Sequence, residues 1–374
     1  MAKIRTFLYP LKVFFRRLYL FTFKGYKYIT FEGVVAHILK KISDIGYKVL
    51  PSCRKKILWL GAFPPMHSNM GDHAQTLAVE QYFNNEFPDY HVICLNRNQI
   101  SIPRLKRLSS TLNSDDLVFI HSSGDFGSKY YDMEKSYGKL RKEIINIFNK
   151  NKIINLPTTV YYENNDKGMS ILEKDRQFYR NKNVTILGRE SVSADFLAGN
   201  FECNSRFSPD FVFYLRPPIL QKPRRGALLL LRSDKESELS NEEKNEMISI
   251  AKKYTSDVHD IDILKSSIPV LSFIRKNFIE SICRTYQNYE FVITDRMHGM
   301  IIAVITRTPC IAINGGIPHK MSAYQSFLSE SVEFINGIED FDSAVKKIRS
   351  RHYKETDISS YFDNFRKDVL EQSG

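Results

Sequence analysis

The sequence predicts an α/β protein of two Rossmann-like domains that face each other across a cleft, with a basic helical extension at the N-terminus. A chain of 374 residues is long for one domain. From Lys55 onward, short β-branched or aromatic runs alternate with amphipathic stretches, which is the pattern of a parallel sheet covered on both faces. The segment Arg216–Gly226 holds three prolines and a glycine, and the alternation restarts after it. We therefore expect an N-terminal segment over 1–54, one domain over 55–216, a second over 217–350 and a helical tail over 351–374.

Each domain is predicted from its own run of alternating elements. In the first domain the predicted strands are Lys56–Ala62, Tyr90–Asn96, Leu117–Ser122, Lys152–Pro157 and Val184–Gly188, and the predicted helices are Gly71–Glu86 and Tyr137–Lys150. In the second domain the predicted strands are Ala227–Leu231, Phe291–Thr294 and Pro309–Asn314, and the predicted helices are Asn241–Tyr254, Val270–Tyr286 and His298–Thr306. Ligands of such sheets bind beyond the carboxyl ends of the strands. The residues that follow each strand are therefore the first candidates for a functional site.

The net positive charge is concentrated at the N-terminus. The chain holds 54 Lys and Arg against 42 Asp and Glu. Of these, 13 basic and 2 acidic residues lie between Met1 and Lys56, so the rest of the chain is close to neutral. Because a nucleic-acid-binding body would carry its own basic stripe, the charge distribution disfavours that class of protein.

The N-terminal segment combines this charge with aromatic residues. Ten aromatics lie within Met1–Phe31, and Lys or Arg interrupts the apolar run well before the roughly 20 residues of a spanning helix. The segment also lacks the apolar stretch and cleavage site of a signal peptide. We expect residues 1–56 to lie in the plane of an anionic membrane surface, at its cytoplasmic face. The alternative is a helical arm packed on the body, with its cations solvated.

The five cysteines are scattered and form no C-x-x-C pair. They are Cys53, Cys94, Cys203, Cys283 and Cys310. An odd number at wide spacings indicates reduced thiols in the cytoplasm rather than a disulfide framework or a structural zinc site.

Two junctions of the first domain combine small residues with polar ones. In Ser68–Ala74, Gly71 allows close approach of the backbone to a ligand, and the new helix offers free amides to an anion. A helix cap by Asn69 or Ser68, completed by Asp72, explains the same residues. In the loop His121–Gly127, the small residues favour a position close to a substrate, and a turn closed by Asp125 is an equal alternative.

The second domain has the stronger junctions. Arg232 leaves a buried strand at its carboxyl end, where a guanidinium can hold a carboxylate or a phosphate with two bonds. A surface ion pair with Asp234 or Glu236 is the alternative. After the strand Phe291–Thr294 come an acid, a guanidinium and an imidazole within four residues, followed by a helix. Burying three ionisable groups at a helix N-terminus is costly unless they pair or serve a ligand, and Arg296 with His298 suits a phosphorylated anion.

Other motifs are weak. Asp260 and Asp262 form an Asp-x-Asp triplet, which would put both carboxylates on one face of a strand, as in some divalent-metal sites. The triplet is short and common, so we expect no metal. Neither a P-loop nor a G-x-G-x-x-G motif occurs in the sequence.

Taken together, the junctions resemble the polysaccharide pyruvyl transferase family. The matching stretches, in family order, are Asn69–Ala74, His121–Gly127, Leu187–Glu190, Ser208–Asp210 and Thr294–Gly299. The second stretch departs from the family pattern, because Ser122, Ser123 and Asp125 stand where the family has glycines and then Asn. Met297 replaces the usual Leu.

The resemblance implies a fold like that of two-domain, glycosyltransferase-B-type enzymes and a ketal-forming reaction. Family members transfer the enolpyruvyl carbons of phosphoenolpyruvate to two sugar hydroxyls and release phosphate. The resemblance implies that Arg296 and His298 bind this donor, and that a glycan or a lipid-linked oligosaccharide is the acceptor. No cofactor is expected besides phosphoenolpyruvate as co-substrate.

The expected roles of the junction residues follow from this reaction. The donor-binding set is Arg296, His298, Arg232 and Gly299, and the acceptor-binding set is Asn69, Gly71, Asp72, His121 and Gly124. Since an imidazole titrates near neutral pH, His298 could act as the general acid or stabilise the departing phosphate. Asp72 or Asp125, on the other side of the cleft, could accept the sugar proton.

Two other functions fit the same architecture. One is a glycosyltransferase that uses a nucleotide sugar, which would release nucleotide instead of phosphate. The other is a non-catalytic factor for polysaccharide assembly, which would bind the donor without turnover.

Overall fold

Two parallel β-sheets organise the described part of the chain. The computed structural model describes residues 55–131, 137–180, 183–232, 237–264, 270–314, 321–350, 356, 358 and 360–371. The predicted membrane segment, residues 1–54, lies outside them. Both sheets belong to one compact unit, and every strand pair in them is parallel. The predicted α/β fold is therefore confirmed.

The first sheet has six strands in the order β2-β1-β3-β5-β7-β8. Its strands are β1 (Lys55–Ala62), β2 (Tyr90–Asn96), β3 (Leu117–Ile120), β5 (Lys152–Thr158), β7 (Val184–Gly188) and β8 (Asn204–Phe207). The helices among them are α1 (Met70–Glu86), α2 (Ile102–Ser109), α3 (Tyr137–Ile147), α4 (Asp166–Phe178) and α5 (Ser191–Asn200). A separate two-stranded sheet pairs β4 (Phe126–Gly127) with β6 (Val160–Tyr161). Strands β3 and β7 are buried along their whole length, as expected for central strands of a parallel sheet.

The second sheet has five strands in the order β10-β9-β11-β12-β13. Its strands are β9 (Ala227–Leu230), β10 (Val258–Asp260), β11 (Phe291–Thr294), β12 (Cys310–Ile313) and β13 (Val332–Ile335). The longer helices are α6 (Asn241–Lys252), α7 (Ser272–Tyr286), α8 (Met297–Ile305) and α10 (Phe341–Ser350), and α9 (Gln325–Leu328) is a single turn. Two short helices follow, α11 (Ser360–Asp363) and α12 (Phe365–Glu371). They return to the first half of the chain, where Phe362 and Phe365 pack edge-on or tilted against Tyr82 and Phe211.

We call the residues up to 216, which carry the first sheet, the first half of the molecule, and the residues from 217, which carry the second sheet, the second half. Backbone hydrogen bonds join these two halves beside helix α1. The amide of Met70 donates to the carbonyl of Leu264 at 2.8 Å, and the amide of Val270 donates to the carbonyl of Pro65 at 2.8 Å. An ion pair between Arg275 and Glu80 lies on the same side, at 3.6 Å. These contacts hold the start of α1 against the second half, so the ends of β1 and β11 face one space.

Two predictions about charged residues are corrected by the structure. Strand β10 ends at Asp260, because the carboxylate of Asp262 turns away to pair with Arg296 at 2.7 Å. The two aspartates therefore do not share one face of a strand. Lys56, predicted to face a membrane surface, is buried, and its ammonium pairs with Asp116 at 3.4 Å.

Two further observations concern the predicted compartment. No helix in the described ranges is long and apolar enough to cross a membrane. Four cysteines lie in the described part of the chain, and all four are free thiols.

Candidate active site

A cleft of about 820 Å³ lies between the carboxyl ends of the two sheets. Residues of both halves line it: Phe63, His67, Asn69, Asp72, Gln75, Arg97, Asn98, Ile100, Ser123, Gly124, Asp125, Tyr130, Leu140 and Arg189 from the first half, and Arg232, Leu264, Arg296, Met297 and His298 from the second. The predicted residues Asn69, Asp72, Gly124, Asp125, Arg232, Arg296 and His298 therefore come together in one place. Their meeting at the strand ends is what the α/β topology predicts.

The N-terminus of helix α1 supplies a carboxylate to the cleft. Asn69 caps the helix, since its side-chain oxygen accepts from the amide of Gly71 at 2.9 Å. Asp72 stands in the first turn and contacts the Nε2 of His67 at 2.5 Å. Burial alone would raise the pKa of Asp72, but the hydrogen bond from His67 and the nearby His298 imidazole hold it below its ordinary value. The cleft thus holds an ionised carboxylate near neutral pH.

His298 stands in the first turn of helix α8 and lies between two carboxylates. Its Nδ1 is 3.8 Å from Asp72 and its Nε2 is 3.5 Å from Asp210, which is itself fully buried. Burial would raise the pKa of Asp210, but His298 and the guanidinium of Arg189 lower it well below the usual range. Each ring nitrogen of His298 thus faces one carboxylate.

Gly71 and Gly299 make room for side chains and do not line the cleft. A Cβ added at Gly71 would lie 2.3 Å from the Nδ1 of His298, and one at Gly299 would lie 2.5 Å from the hydroxyl of Thr294. The approach predicted between Gly71 and a ligand is therefore an approach to the imidazole of His298. Gly299 lets Thr294 bind the amide of Arg296 at 3.0 Å and so fixes the turn before the helix.

Arg296 is 8% exposed and lines the cleft from the second half. One of its terminal nitrogens contacts Asp262 at 2.7 Å. Its Nε is buried and has no hydrogen-bond partner among the described residues. A buried N–H group of a charged side chain is costly when no protein atom accepts its hydrogen bond. It therefore indicates a position for an anionic ligand.

A buried ionic network behind His298 was not among the predicted site residues. Arg189 contacts Asp210 and Glu190, each at 3.2 Å, and also the hydroxyl of Thr159. Gln75 donates to Asp210 at 2.7 Å. Arg189 follows β7 and Asp210 lies just after β8, so the rule that found the other junctions applies equally to them.

The loop after β3 presents Asp125 to the cleft. The guanidinium of Arg141 is almost fully buried and lies 3.3 Å from Asp125 and 3.3 Å from the hydroxyl of Ser123. Ser123 also donates to Asp125. Arg141 thus supports the residues that replace the glycines expected in this loop.

His121, predicted to contact the acceptor, is fully buried and does not line the cleft. Its amide continues the sheet by donating to the carbonyl of Leu60 at 2.7 Å, and its Nδ1 accepts from the indole of Trp59 at 3.1 Å. Burial lowers the pKa of His121 to about 3. We assign it to the wall behind the cleft.

Arg232 lines the cleft as predicted, next to a carboxylate of unusual pKa. Its backbone amide donates to both oxygens of Asp295, at 2.9 and 3.1 Å. Burial raises the pKa of Asp295 to about 6.

The charge of the cleft favours an anion. Four guanidinium groups and two imidazoles line it against two carboxylates: Arg97, Arg189, Arg232, Arg296, His67 and His298 against Asp72 and Asp125. In the described part of the chain, no group of three or more His, Cys, Asp or Glu could hold a metal ion.

The chain is similar to several known proteins. General stress protein 30 of Bacillus subtilis (strain 168) is 28% identical over 335 residues, covering 86% of this chain and 95% of that protein. Pyruvyl transferase 1 of Schizosaccharomyces pombe is 25% identical over 295 residues, covering 73% of this chain and 69% of that protein. A solved structure of S. aureus MnaA with UDP covers 86% of this chain and 99% of its own at a TM-score of 0.51, and its 10% identity shows a shared fold only. The family model "Polysaccharide pyruvyl transferase" matches residues 69–316, which include every lining residue of the cleft except Phe63 and His67. The chain therefore belongs to the polysaccharide pyruvyl transferase family.

Proposed function

We propose that the protein transfers the enolpyruvyl group of phosphoenolpyruvate to two hydroxyls of a sugar in a polysaccharide precursor, forming a pyruvate ketal. The observation that carries this proposal is the convergence of Arg296, His298 and Arg232 on the donor side of one cleft that also holds Asp72 and Asp125. Cations suit an anionic donor, and carboxylates suit a neutral, hydroxyl-rich acceptor.

Phosphoenolpyruvate suits the second half of the cleft because that half is positively charged and contains an N–H group of Arg296 that has no protein acceptor among the described residues. Phosphoenolpyruvate carries a carboxylate and a phosphate, so two cationic groups are needed to hold it. The unpartnered Nε of Arg296 can bind one of them, and Arg232 can bind the other. The N-terminus of helix α8 adds its own positive potential.

In this proposal, His298 serves the donor as an acid. The donor's C3 must gain a proton, which leaves a positively polarised C2 for a sugar hydroxyl to attack. The carboxylates of Asp72 and Asp210 lie beside the two ring nitrogens and would hold the imidazole in one orientation for this step. Phosphate then leaves with the electrons of its C2–O bond, and the second hydroxyl closes the ring.

The acceptor fits the first half of the cleft. Ser123, Gly124 and Asp125 offer polar contacts to sugar hydroxyls, and Tyr130 and Leu140 line the same cleft. The ion pair between Asp125 and the guanidinium of Arg141 holds the carboxylate in one orientation.

The test is a reaction between the purified protein, phosphoenolpyruvate and lipid-linked sugar acceptors. We expect release of inorganic phosphate together with a mass increase of the acceptor equal to one pyruvate ketal. A parallel reaction offers a panel of nucleotide sugars. Transfer of a sugar with release of nucleotide would support the glycosyltransferase instead, and donor binding without any product would support the assembly factor.

We also propose that the enzyme works at the cytoplasmic face of a membrane, held by its basic aromatic N-terminal segment. Each basic residue near an anionic surface adds about 1 kcal/mol of attraction, which salt screens. Lys56 takes no part, because it is buried against Asp116. Co-sedimentation with anionic vesicles should depend on residues 1–31 and weaken with salt, and binding that ignores anionic lipid would contradict the proposal.

A further inference from the structure

His67 supplies a second imidazole to the cleft, besides that of His298. His67 lies in the loop between β1 and α1, and about a third of its side chain is exposed to the cleft. Its Nε2 is 2.5 Å from Oδ2 of Asp72. Among the described residues, no group hydrogen-bonds its Nδ1. A carboxylate that fixes one ring nitrogen leaves the other with a defined lone pair.

The ring of His67 is held in place from several sides. It stacks on Phe63 with ring centroids 4.6 Å apart and an interplanar angle of 27°. The amide of His67 bonds to the carbonyl of Pro64 at 3.0 Å, and its own carbonyl contacts the imidazole of His73 at 2.8 Å. Such support is what a reacting group needs in order to keep its geometry.

Asp72 also connects His67 to the donor side. Its Oδ2 contacts His67, while its Oδ1 lies 3.8 Å from the Nδ1 of His298. One carboxylate therefore stands between an imidazole of the first half and an imidazole of the second. The two imidazoles therefore lie on opposite sides of the cleft, where one can serve as an acid and the other as a base.

We propose that His67 is the base that takes the proton of the first attacking sugar hydroxyl, a role that rests on the proposed pyruvyl transfer. As the hydroxyl oxygen bonds to C2 of phosphoenolpyruvate, its proton passes to Nδ1 of His67, and C3 takes a proton from His298. Phosphate leaves with the electrons of the C2–O bond. The second hydroxyl then bonds to C2 and gives its proton to His298, and the proton on His67 leaves with phosphate or water. C3 thereby becomes a methyl group. The proton of the second hydroxyl replaces the proton that His298 gave to C3, and the proton of the first hydroxyl leaves from His67.

The charged groups around His67 come from three elements. Asp72 and His73 belong to α1, and the ring centroid of His73 is 6.2 Å from that of His67. Arg97 follows β2, and its guanidinium carbon lies 4.4 Å from the ring centroid of Phe63. His298 acts through Asp72 from α8. The pH dependence of the reaction therefore belongs to this cluster, and single variants are needed to assign it.

The experiment compares wild type with His67→Gln and His67→Ala in single-turnover transfer, in phosphoenolpyruvate binding by calorimetry and across pH. His91→Gln, on strand β2 and outside the cleft lining, is the matched control. For both His67 variants we expect kcat to fall about 10²- to 10⁴-fold, with donor affinity within twofold of wild type. The acid limb of the kcat profile should disappear, and added imidazole should restore part of the rate of His67→Ala.

A double variant separates catalysis from support. Because Asp72 orients His67, the loss in Asp72→Asn should not add to that in His67→Gln. A normal kcat in His67→Gln, an unchanged acid limb, additive losses or a loss confined to donor affinity would each overturn the proposal. If His67→Gln does not fold, imidazole rescue of His67→Ala decides the question. A wild type that forms no ketal at all instead refutes the pyruvyl transfer itself.

Discussion

The α-carbon of Gly71 faces the imidazole of His298, and a Cβ at position 71 would lie 2.3 Å from Nδ1 of that ring. These two residues come from the first turns of helices in opposite halves of the molecule. The helix that carries Asp72 can therefore reach the donor histidine only if residue 71 has no side chain. The glycine is explained by the close contact of two helices and not by a turn.

We expect Gly71→Ala to disable the reaction without unfolding the protein. A methyl group at this position must displace His298 from its place between Asp72 and Asp210. Turnover should fall toward that of His298→Ala, which we expect to be inactive, while circular dichroism stays unchanged. The matched control is Gly199→Ala, because a Cβ there meets no atom within 4 Å. Near-normal turnover in Gly71→Ala would show that the position of His298 does not matter.

Arg296→Lys should weaken donor binding although it keeps the charge. Lys cannot contact Asp262 and an anion at the same time with a rigid, planar fork. The loss of one charge-assisted hydrogen bond corresponds to about 1.5–3 kcal/mol, or about 10- to 150-fold in Kd. Calorimetric titration with phosphoenolpyruvate measures it, with the exposed Lys276→Arg as control. An unchanged Kd would remove Arg296 from the donor site.

Asp210→Ala should destabilise the fold much more than the loss of a surface partner. It leaves Arg189 buried with one of its two carboxylates missing, and breaking a buried pair typically costs about 3–5 kcal/mol. Asp89→Ala, which removes the exposed partner of Arg366, should cost about 0–1 kcal/mol. Urea unfolding compares the two variants. Equal effects would mean that Arg189 finds other partners at no cost.

The sequence predicts the sheets and much of the cleft because both follow from local patterns. Apolar runs predict strands, and the residues after them, such as Arg232, Asp125 and Arg296, lie together because parallel strands end at one edge. His121 shows the limit of that rule. It directly follows Ile120, the last residue of β3, and remains within the sheet, where its amide still bonds to the carbonyl of Leu60.

What the sequence does not predict depends on contacts between distant segments. Gln75 and Asp210 are 135 residues apart, and their hydrogen bond follows from the packing of α1 against the segment after β8. The role of His67 likewise depends on the direction of its ring toward Asp72, which no spacing in the sequence indicates. The pairing of Asp262 with Arg296 requires the end of β10 to meet the start of α8.

The last prediction concerns stability between pH 6.5 and pH 5. Burial lowers the pKa of His121 to about 3 and that of His73 to about 4. In the unfolded chain a histidine binds a proton near pH 6.5, whereas these two histidines stay neutral in the folded protein. Their contribution therefore lowers the free energy of unfolding as the pH drops. Asp295 acts in the opposite direction. Its pKa of about 6 means that the folded protein binds a proton in this range and the unfolded chain does not, so stability rises as the pH drops.

Two variants should therefore change the pH dependence with opposite signs. His121→Asn keeps an acceptor for the indole of Trp59 but cannot titrate, so it should reduce the loss of stability on acidification by up to about 1.4 kcal/mol per pH unit. Asp295→Asn keeps one acceptor for the amide of Arg232 and removes the opposing group, so it should make the loss steeper. Urea unfolding of wild type and both variants at pH 6.5 and pH 5 gives the three slopes. If both variants shift the slope in the same direction, or neither does, then at least one of these two groups titrates in the folded protein as it does in the unfolded chain.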